Sequence, residues 1–380
     1  MSILNRTEAS VDLECIKHNF LEIKRFTGNA RMICVIKADA YGHGAVKIGK
    51  LYEELGADIL AVACLDEALE LRRNGITSPV IVLGATPIPF ARFLYENNII
   101  QSVHSFLYAK ELSDALAPLG MCIKVHIKLD TGMSRFGINA HRGNTEQAAL
   151  SAESITKLPG ICADGIFTHF AEAESDDSSF TDEQFESFLD VVGKLENKGI
   201  TFNFCHCANS AAVVNYKKAH LNCVRPGLLL YGYSPRDNMP EGLSLRPAMT
   251  LRSLIADIHH IMPGDSVSYN RTFTAEREMK IAVVLCGYAD GISRALSNKG
   301  CFLINGKRAP ILGNVCMDLT LVDVSDIPDV RPFDEVVIFG SQNGAVLSPD
   351  ELAKISGTIS YELLTSVSKR VPRTYNHSPA

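Results

Sequence analysis

No stretch of this sequence is both apolar and long enough to span a bilayer, and the N-terminal MSILNRTEASVDLECIKHNF lacks a basic region followed by an unbroken apolar core. A cytoplasmic protein is therefore expected. Lys and Arg are scattered rather than blocked and the net charge is −6, so the basic footprint that nucleic acid or an anionic membrane requires is missing. A small-molecule partner is expected instead. The eleven cysteines are odd in number and show no paired C-x-x-C spacing, which reads as thiols in a reducing compartment rather than a disulfide framework. Phosphate-loop patterns are absent as well: Gly42, Gly44 and Gly49 do not follow G-x-G-x-x-G, and no G-x-x-x-x-G-K-[ST] occurs. Two S-x-x-K matches, Ser154 to Lys157 and Ser366 to Lys369, sit in helical segments without the motifs that should accompany them. Cys205-His206-Cys207 is a poor metal site, because neighbours on a strand face opposite ways and no second ligand pair stands at zinc spacing. No metal is expected.

What the chain does have is ample apolar material. With 46% hydrophobic and 21% charged residues it can pack an interior, and 380 residues favour two domains. Short apolar runs at 31–37, 58–62, 79–83, 99–103, 122–128, 161–167, 202–205 and 221–225 alternate with amphipathic segments such as Ile16, Phe20, Ile23 and Phe180, Phe185, Phe188, Leu189. Eight strand and helix alternations point to an α/β fold, a (β/α)8 barrel of the TIM type, with an open doubly wound sheet as the competitor. After Pro235-Arg236-Asp237-Asn238-Met239-Pro240 the texture changes to extended runs, IADIHHIM, KIAVVLC, APILGN, LTLVDV and EVVIFG, separated by Gly, Pro and Asp turns. A barrel over residues 1–240 and a β-rich domain over 241–380 are expected, with helices near 349–356 and 359–367.

In a parallel barrel the C-terminal ends of the strands form the catalytic mouth, so a first strand ending at Lys37 delivers an amine there. A lysine partly desolvated at such a place loses its proton readily and can form a Schiff base with an aldehyde, which suits a carbonyl cofactor such as pyridoxal phosphate. Other strand ends add polar groups to the same rim: Lys128, Asp130 and Arg135; His169; His206, Asn209 and Ser210; and Arg225 with Pro226-Gly227. Barrels often bind phosphate after strands seven and eight, here Ser210 and the amides of Gly227 and Leu228.

VIKADAYGHGA resembles the lysine signature of the alanine racemases, and KLDTGMSRFGI, FTHFA, HCANSAA, VRPGLLLYG, VSYNRTF, GYADG, GNVCMD, YELL and KRVPR continue the resemblance in the family's order from about residue 10 to 373. It implies a barrel plus β domain and racemisation with pyridoxal phosphate held on Lys37. A second base, Tyr269, is implied to arrive from the partner subunit of a homodimer. A free tyrosine titrates near 10, so its use as a base near pH 8 asks about 3 kcal/mol of neighbouring cations. The resemblance further implies that Arg225 faces the pyridine nitrogen, with His169 in the same network as Tyr269. Tyr41, Ser210, Gly227, Leu228 and Tyr361 would hold the phosphate, with Asn209 beside them. Arg135 would stand by the phenolic oxygen and the substrate, Met317 would offer its backbone to the substrate carboxylate, and Lys128 matches a lysine that several relatives carbamylate. Gly287 to Gly291 and Arg294 resemble the entrance segment. D-Alanine supply for a cell wall is the implied role, or catabolism of one enantiomer.

Three departures stand out: Asn270 where glycine is usual, Asn314 where arginine is usual, and Glu174 where aspartate is common. Losing an arginine at the entrance weakens alanine as sole substrate, whereas Tyr361 favours a small methyl group. Alanine first and serine a slow second is the expected order. An amino-acid decarboxylase of related fold, a non-catalytic pyridoxal-phosphate carrier and a sugar- or phosphate-binding module are the competing readings. Lys37 and Tyr269 together disfavour the first, the β domain disfavours the second, and the third leaves Lys37 unexplained.

Overall fold

Runs of Val and Ile such as ILAV and IIQSV are buried on both faces, as strands of a parallel sheet covered by helices must be. In the computed structural model, which describes residues 6–235 and 239–376, these runs close a ring. After β1 (Thr7–Asp12), the strands β2 (Arg31–Val35), β3 (Ile59–Val62), β4 (Val80–Val82), β5 (Ile99–Val103) and β6 (Ile123–Asp130) follow one another around it. A two-residue β7 (Ile138–Asn139) flanks β6, and β8 (Ile161–Phe167), β9 (Phe204–His206) and β10 (Cys223–Val224) complete the circuit. The β10–β2 and β5–β6 pairings are both parallel and leave the barrel without an edge. The expected eight-stranded barrel is therefore the fold.

Helix Leu13–Thr27 buries Ile16, Phe20 and Ile23, the stripe expected from their spacing. Its start is capped by Asp12, whose carboxylate accepts from the Glu14 N–H at 2.9 Å. Helix Ser179–Glu196 buries Phe185, Phe188, Val192 and Leu195, but Leu189 is exposed. At 100° per residue Leu189 falls about a quarter turn away from the centre of that stripe.

The described residues of Cys15–Ala40 and Ala45–Arg246 form the barrel unit, and those of Met1–Glu14, Tyr41–Gly44 and Pro247–Ala380 form the second unit. The start of the chain thus departs from a single division near residue 240. Strand β1 pairs antiparallel with β11 (Met249–Ile261) and parallel with β20 (Arg373–Asn376), because its alternation of buried Thr7, Ala9 and Val11 suits a half-covered mixed sheet rather than a barrel wall. Of the expected boundary segment, residues 236–238 lie outside the described residues.

The second unit continues with β12 (Ser266–Val267), β13 (Phe273–Thr274), β14 (Met279–Val284), β15 (Cys301–Ile304), β16 (Lys307–Pro310), β17 (Thr320–Asp323), β18 (Glu335–Gln342) and β19 (Ala345–Leu347). One path of its sheet runs β16-β15-β18-β11-β1-β20, with β14 joining β11 to β17. Val267, Met279, Ile281 and Leu312 form a small core beneath the β12–β13 hairpin. The expected late helices are Pro349–Ser356 and Ser360–Ser366, the first capped by the Ser348 hydroxyl.

Candidate active site

Strand β2 ends at Val35, two residues earlier than expected, and Lys37 opens a turn in which Ala38, Asp39 and Ala40 all adopt left-handed backbone angles. Each such residue costs on the order of 1–2 kcal/mol. Three hydrogen bonds stabilise the turn: Ala38 N–H to Glu67 Oε1 at 2.7 Å, Ala45 N–H to Asp39 Oδ1 at 2.7 Å, and Ala40 N–H to the Ile36 carbonyl at 2.9 Å. A helix or strand continuing from β2 would carry Lys37 away along the element axis. The turn instead keeps it at the strand's C-terminal end.

Cations crowd this end of the barrel. Solvent reaches Lys37, yet desolvation by its surroundings, followed by the Arg135 guanidinium, holds its ammonium below the ordinary lysine range against the opposing pull of Glu67. Lys128 is buried and lowered to about 8, first by desolvation, then by Arg135 and Arg225, with Asp130 opposing and Lys37 adding. Its ammonium stands 5.0 Å from the Phe136 ring centroid and 5.7 Å from that of Phe167. Asp130 does not neutralise it by an ion pair, because its carboxylate accepts from the N–H groups of Gly132, Ser134 and Arg135, each at 3.0 Å. That carboxylate shapes the loop which positions Arg135.

Arg225, 4% exposed, forms no ion pair with a carboxylate among the described residues, and burial lowers it to about 10. Its NH1 donates to His206 Nδ1 at 2.6 Å, while NH2 lies 2.7 Å from the Thr168 carbonyl, 3.2 Å from that of Cys207 and 3.2 Å from His169 Nδ1. Burial, then Arg225, drives His169 well below the ordinary imidazole range, so it is a neutral partner. Asn209 caps helix Ser210–Asn215 by accepting from the Ala212 N–H at 2.9 Å, which fixes the place of Ser210. The Ser210 hydroxyl oxygen accepts from the Gly227 N–H at 2.9 Å, leaving its own proton to donate, and the Leu228 N–H opens a 3-10 turn without a backbone partner among the described residues. An anionic, aldehyde-bearing cofactor such as pyridoxal phosphate fits this donor set: a depressed lysine, a buried guanidinium without an anion, and a hydroxyl beside an unspent amide.

The second unit carries the remaining candidates. Tyr41 and Tyr361 approach with ring centroids 5.9 Å apart, and burial raises the Tyr41 hydroxyl far above its ordinary value. Tyr269 and Met317 line one recess of about 380 Å³ with Ser268, Cys316, Asp318 and Leu319, and are 70% and 53% exposed. Both departures near Tyr269 have local reasons. Asn270 has a φ of 63°, a conformation that asparagine tolerates better than most residues other than glycine. Asn314 donates its side-chain N–H to the Tyr269 carbonyl at 2.7 Å, so the side chain replacing arginine braces the backbone of the candidate base. Glu174 is exposed in the barrel unit, and nothing in the structure explains its replacement of aspartate.

Gly287 permits the close approach of two loops: a Cβ there would meet the Cys316 and Met317 carbonyl oxygens at 2.4 Å. Tyr288 and Ala289 N–H bond those same carbonyls at 2.9 and 3.0 Å. Among the described residues, the Met317 N–H has no backbone partner. Arg294 opens a short 3-10 turn after Ser293. The buried Asp290 of the Gly287 to Gly291 segment, paired with Arg6 and Arg370, and Asp318, paired with Arg370, brace this region; the pairing was not legible, because the partners lie far apart in sequence.

Residues 11–235 match the alanine racemase N-terminal domain and residues 248–375 the alanine racemase C-terminal domain. The chain is 42% identical over 373 residues to an alanine racemase of Desulfosudis oleivorans, covering 97% of this chain and 96% of the relative. It is 43% identical to alanine racemase 2 of Caldanaerobacter subterraneus, covering 97% and 94%. Among solved structures, alanine racemase of Clostridium difficile 630 superposes with a TM-score of 0.93 at 36% identity, covering 100% of this chain and 98% of that one. The Bacillus anthracis enzyme with bound L-Ala-P gives 0.91 at 36% identity, covering 100% and 97%. With both family domains in series and such agreement along nearly its whole length, the chain belongs to the alanine racemases, a family of pyridoxal-phosphate-dependent isomerases.

Proposed function

We propose that this chain interconverts L- and D-alanine by a two-base route, with Lys37 and Tyr269 moving the α-proton on opposite faces of the substrate. The observation that carries the reading is the anion-poor cluster of Lys37, Lys128, Arg135 and Arg225 around a lysine already inclined to lose its proton. Pyridoxal phosphate, when bound, supplies the carbonyl that captures the amino acid and the electron sink that acidifies its α-carbon. Lys37 tethers that group and then takes or returns the proton on one face. The Tyr269 hydroxyl does the same on the other, so each base deprotonates one enantiomer and protonates toward the other.

Arg225 offers an N–H to the ring nitrogen. Because a guanidinium holds its proton so firmly, Arg225 would give that nitrogen a hydrogen bond without giving it a proton, and so would moderate the electron pull the cofactor supplies. That favours prompt return of the proton over side reactions such as transamination. The Ser210 hydroxyl and the Leu228 amide hold the phosphate, Gly227 and Asn209 fix Ser210 for that task, and the Tyr41 and Tyr361 hydroxyls add donors. His169 keeps the Arg225 guanidinium in place as a neutral acceptor and joins the network of Tyr269. Arg135 and the Met317 N–H orient the substrate carboxylate.

Lys128 becomes a carbamate when its neutral amine attacks carbon dioxide, forming an N–C bond and releasing a proton. The resulting anion aligns Arg135. A titration near 8 makes the neutral amine accessible at working pH, and a carbon-13 carbamate signal from protein equilibrated with labelled bicarbonate is the expected result.

The active form in this reading is a homodimer in which Tyr269 and Met317 of one copy serve Lys37 of the other, consistent with the exposure of both side chains. The enzyme works in the cytoplasm and supplies D-alanine for a cell wall. Alanine is turned over first and serine slowly; faster racemisation of serine would reverse that order.

The test compares the purified protein with its Lys37→Ala variant by visible spectrum and by conversion of L- to D-alanine. A band from lysine-bound cofactor and racemisation, both lost in the variant, are expected. Absence of the band in cofactor-supplemented wild type would sink the reading.

A further inference from the structure

The inner layers of a parallel barrel are ordinarily filled by branched apolar side chains. Here two imidazoles, His126 on β6 and His206 on β9, are fully buried and lie 2.9 Å apart, Nδ1 of the first to Nε2 of the second. The barrel wall is shaped to admit them. Facing His126, the β6–β8 register shifts so that His126 pairs with Gly165. A Cβ on Gly165 would meet three ring atoms of His126 at 2.7–2.8 Å. Phe204 stacks on the same imidazole with centroids 5.4 Å apart.

The direction of the hydrogen bonds follows from one fixed donor. Arg225 NH1 can only donate, so His206 Nδ1 is the acceptor and the His206 proton sits on Nε2. That N–H in turn requires a lone pair on His126 Nδ1, which places the His126 proton on Nε2, where it has no partner among the described residues. A charged His126 would present an N–H on Nδ1, push the His206 proton to its other nitrogen and set two donors face to face at Arg225. Asp164, Arg225, Lys124 and Arg31 are the charged groups acting on His126; desolvation dominates them and lowers it to about 3, so it stays neutral.

We propose that His126 is a positioning residue for Arg225: through His206 it locks the tautomer that holds the guanidinium against the cofactor's ring nitrogen. The inference rests on the assignment of Arg225 to that nitrogen made above. Tolerating an unpartnered buried N–H is the structural signature that the acceptor on the other side of the ring is what matters.

Histidine-selective nitrogen-15 labelling of the full-length holoenzyme reads the tautomers directly. Both imidazoles should be neutral with the proton on Nε2 between pH 6 and 9; a His206 proton on Nδ1 or a charged His126 would overturn the proposal. Two variants supply an independent arm. His126→Leu removes the acceptor and should weaken cofactor binding about tenfold and shift the cofactor's absorption band. His126→Asn keeps an acceptor oxygen and should restore both. Equal behaviour of the two variants, whether both like wild type or both impaired, would overturn the idea. If the leucine variant does not fold, the tautomers of wild type and His126→Asn decide the matter. Loss of the lysine-bound cofactor band in wild type would sink the functional reading instead, and leave the tautomer result standing.

Discussion

Arg225 and Lys128 of the barrel unit are held by side chains in the dry, whereas Tyr269 and Met317 of the β unit are displayed in the open. Arg225 and Lys128 are buried with lowered proton affinities, both chiefly by desolvation, with the neighbouring cations Arg135, Arg225 and Lys37 adding to it at Lys128. Tyr269 and Met317 stand exposed, placed by a hairpin with positive φ at Ser268, Asn270 and Arg271 and by hydrogen bonds to main-chain atoms. The difference separates two kinds of preorganisation. At Arg225 and Lys128 the electrostatics are set by the fold of one unit, whereas at Tyr269 only position is set and the side chain is left exposed.

Replacing Tyr269 should give the largest effect that leaves the barrel untouched. Tyr269→Phe is expected to lower racemisation by roughly 10²–10⁴-fold with the cofactor band unchanged. Deuterium exchange at the α-carbon should persist for one enantiomer only, the one whose proton Lys37 takes. Exchange of both enantiomers at wild-type rate would show that Tyr269 is not the second base.

Lys128 tests the barrel side. It titrates near 8 in the fold against 10.5 for a free lysine, so between those values the unfolded chain binds more protons and stability rises with pH. Below about 8 the penalty is present in full. In carbon dioxide-free buffer the melting temperature should climb from pH 8 to 10, and Lys128→Met should remove that climb while raising stability at pH 7. An unchanged slope in the variant would assign it to another group.

Smaller still is the brace on the hairpin. Asn314→Ala removes one hydrogen bond to the Tyr269 carbonyl, worth roughly 0.5–1.5 kcal/mol, and should lower turnover by at most about tenfold with cofactor binding intact. Asn314→Ser shortens the side chain and should fall between the two. A change in cofactor affinity in either variant would show that the two regions are less independent than their construction implies.

Much of the barrel was legible because its strands are short Val- and Ile-rich runs bounded by amphipathic helices, and burial on both faces leaves that pattern in the sequence. The order of the rim residues followed, since each lies in the last residues of a strand or in the loop that follows it. The left-handed turn at Ala38 to Ala40 was not legible: alanine carries no signal for positive φ and a single aspartate only a weak one, and the turn persists through hydrogen bonds to Glu67 and within the loop itself. Strand β1 was missed for a related reason, because its alternation of small buried residues is weak until β11 and β20 supply partners.

The sequence by itself determined the barrel, the β-rich second half and the residue types gathered at the strand ends, because hydrophobic period and the polarity of strand termini are local properties. Tertiary structure alone decided which of those residues became partners. Asp130 faces the cation cluster, yet its carboxylate is engaged by backbone N–H groups; His206, set aside as a poor metal ligand, became the link between Arg225 and His126. Those outcomes depend on which strands meet around a closed ring, and residues 80 positions apart acquire hydrogen bonds only once the ring has closed.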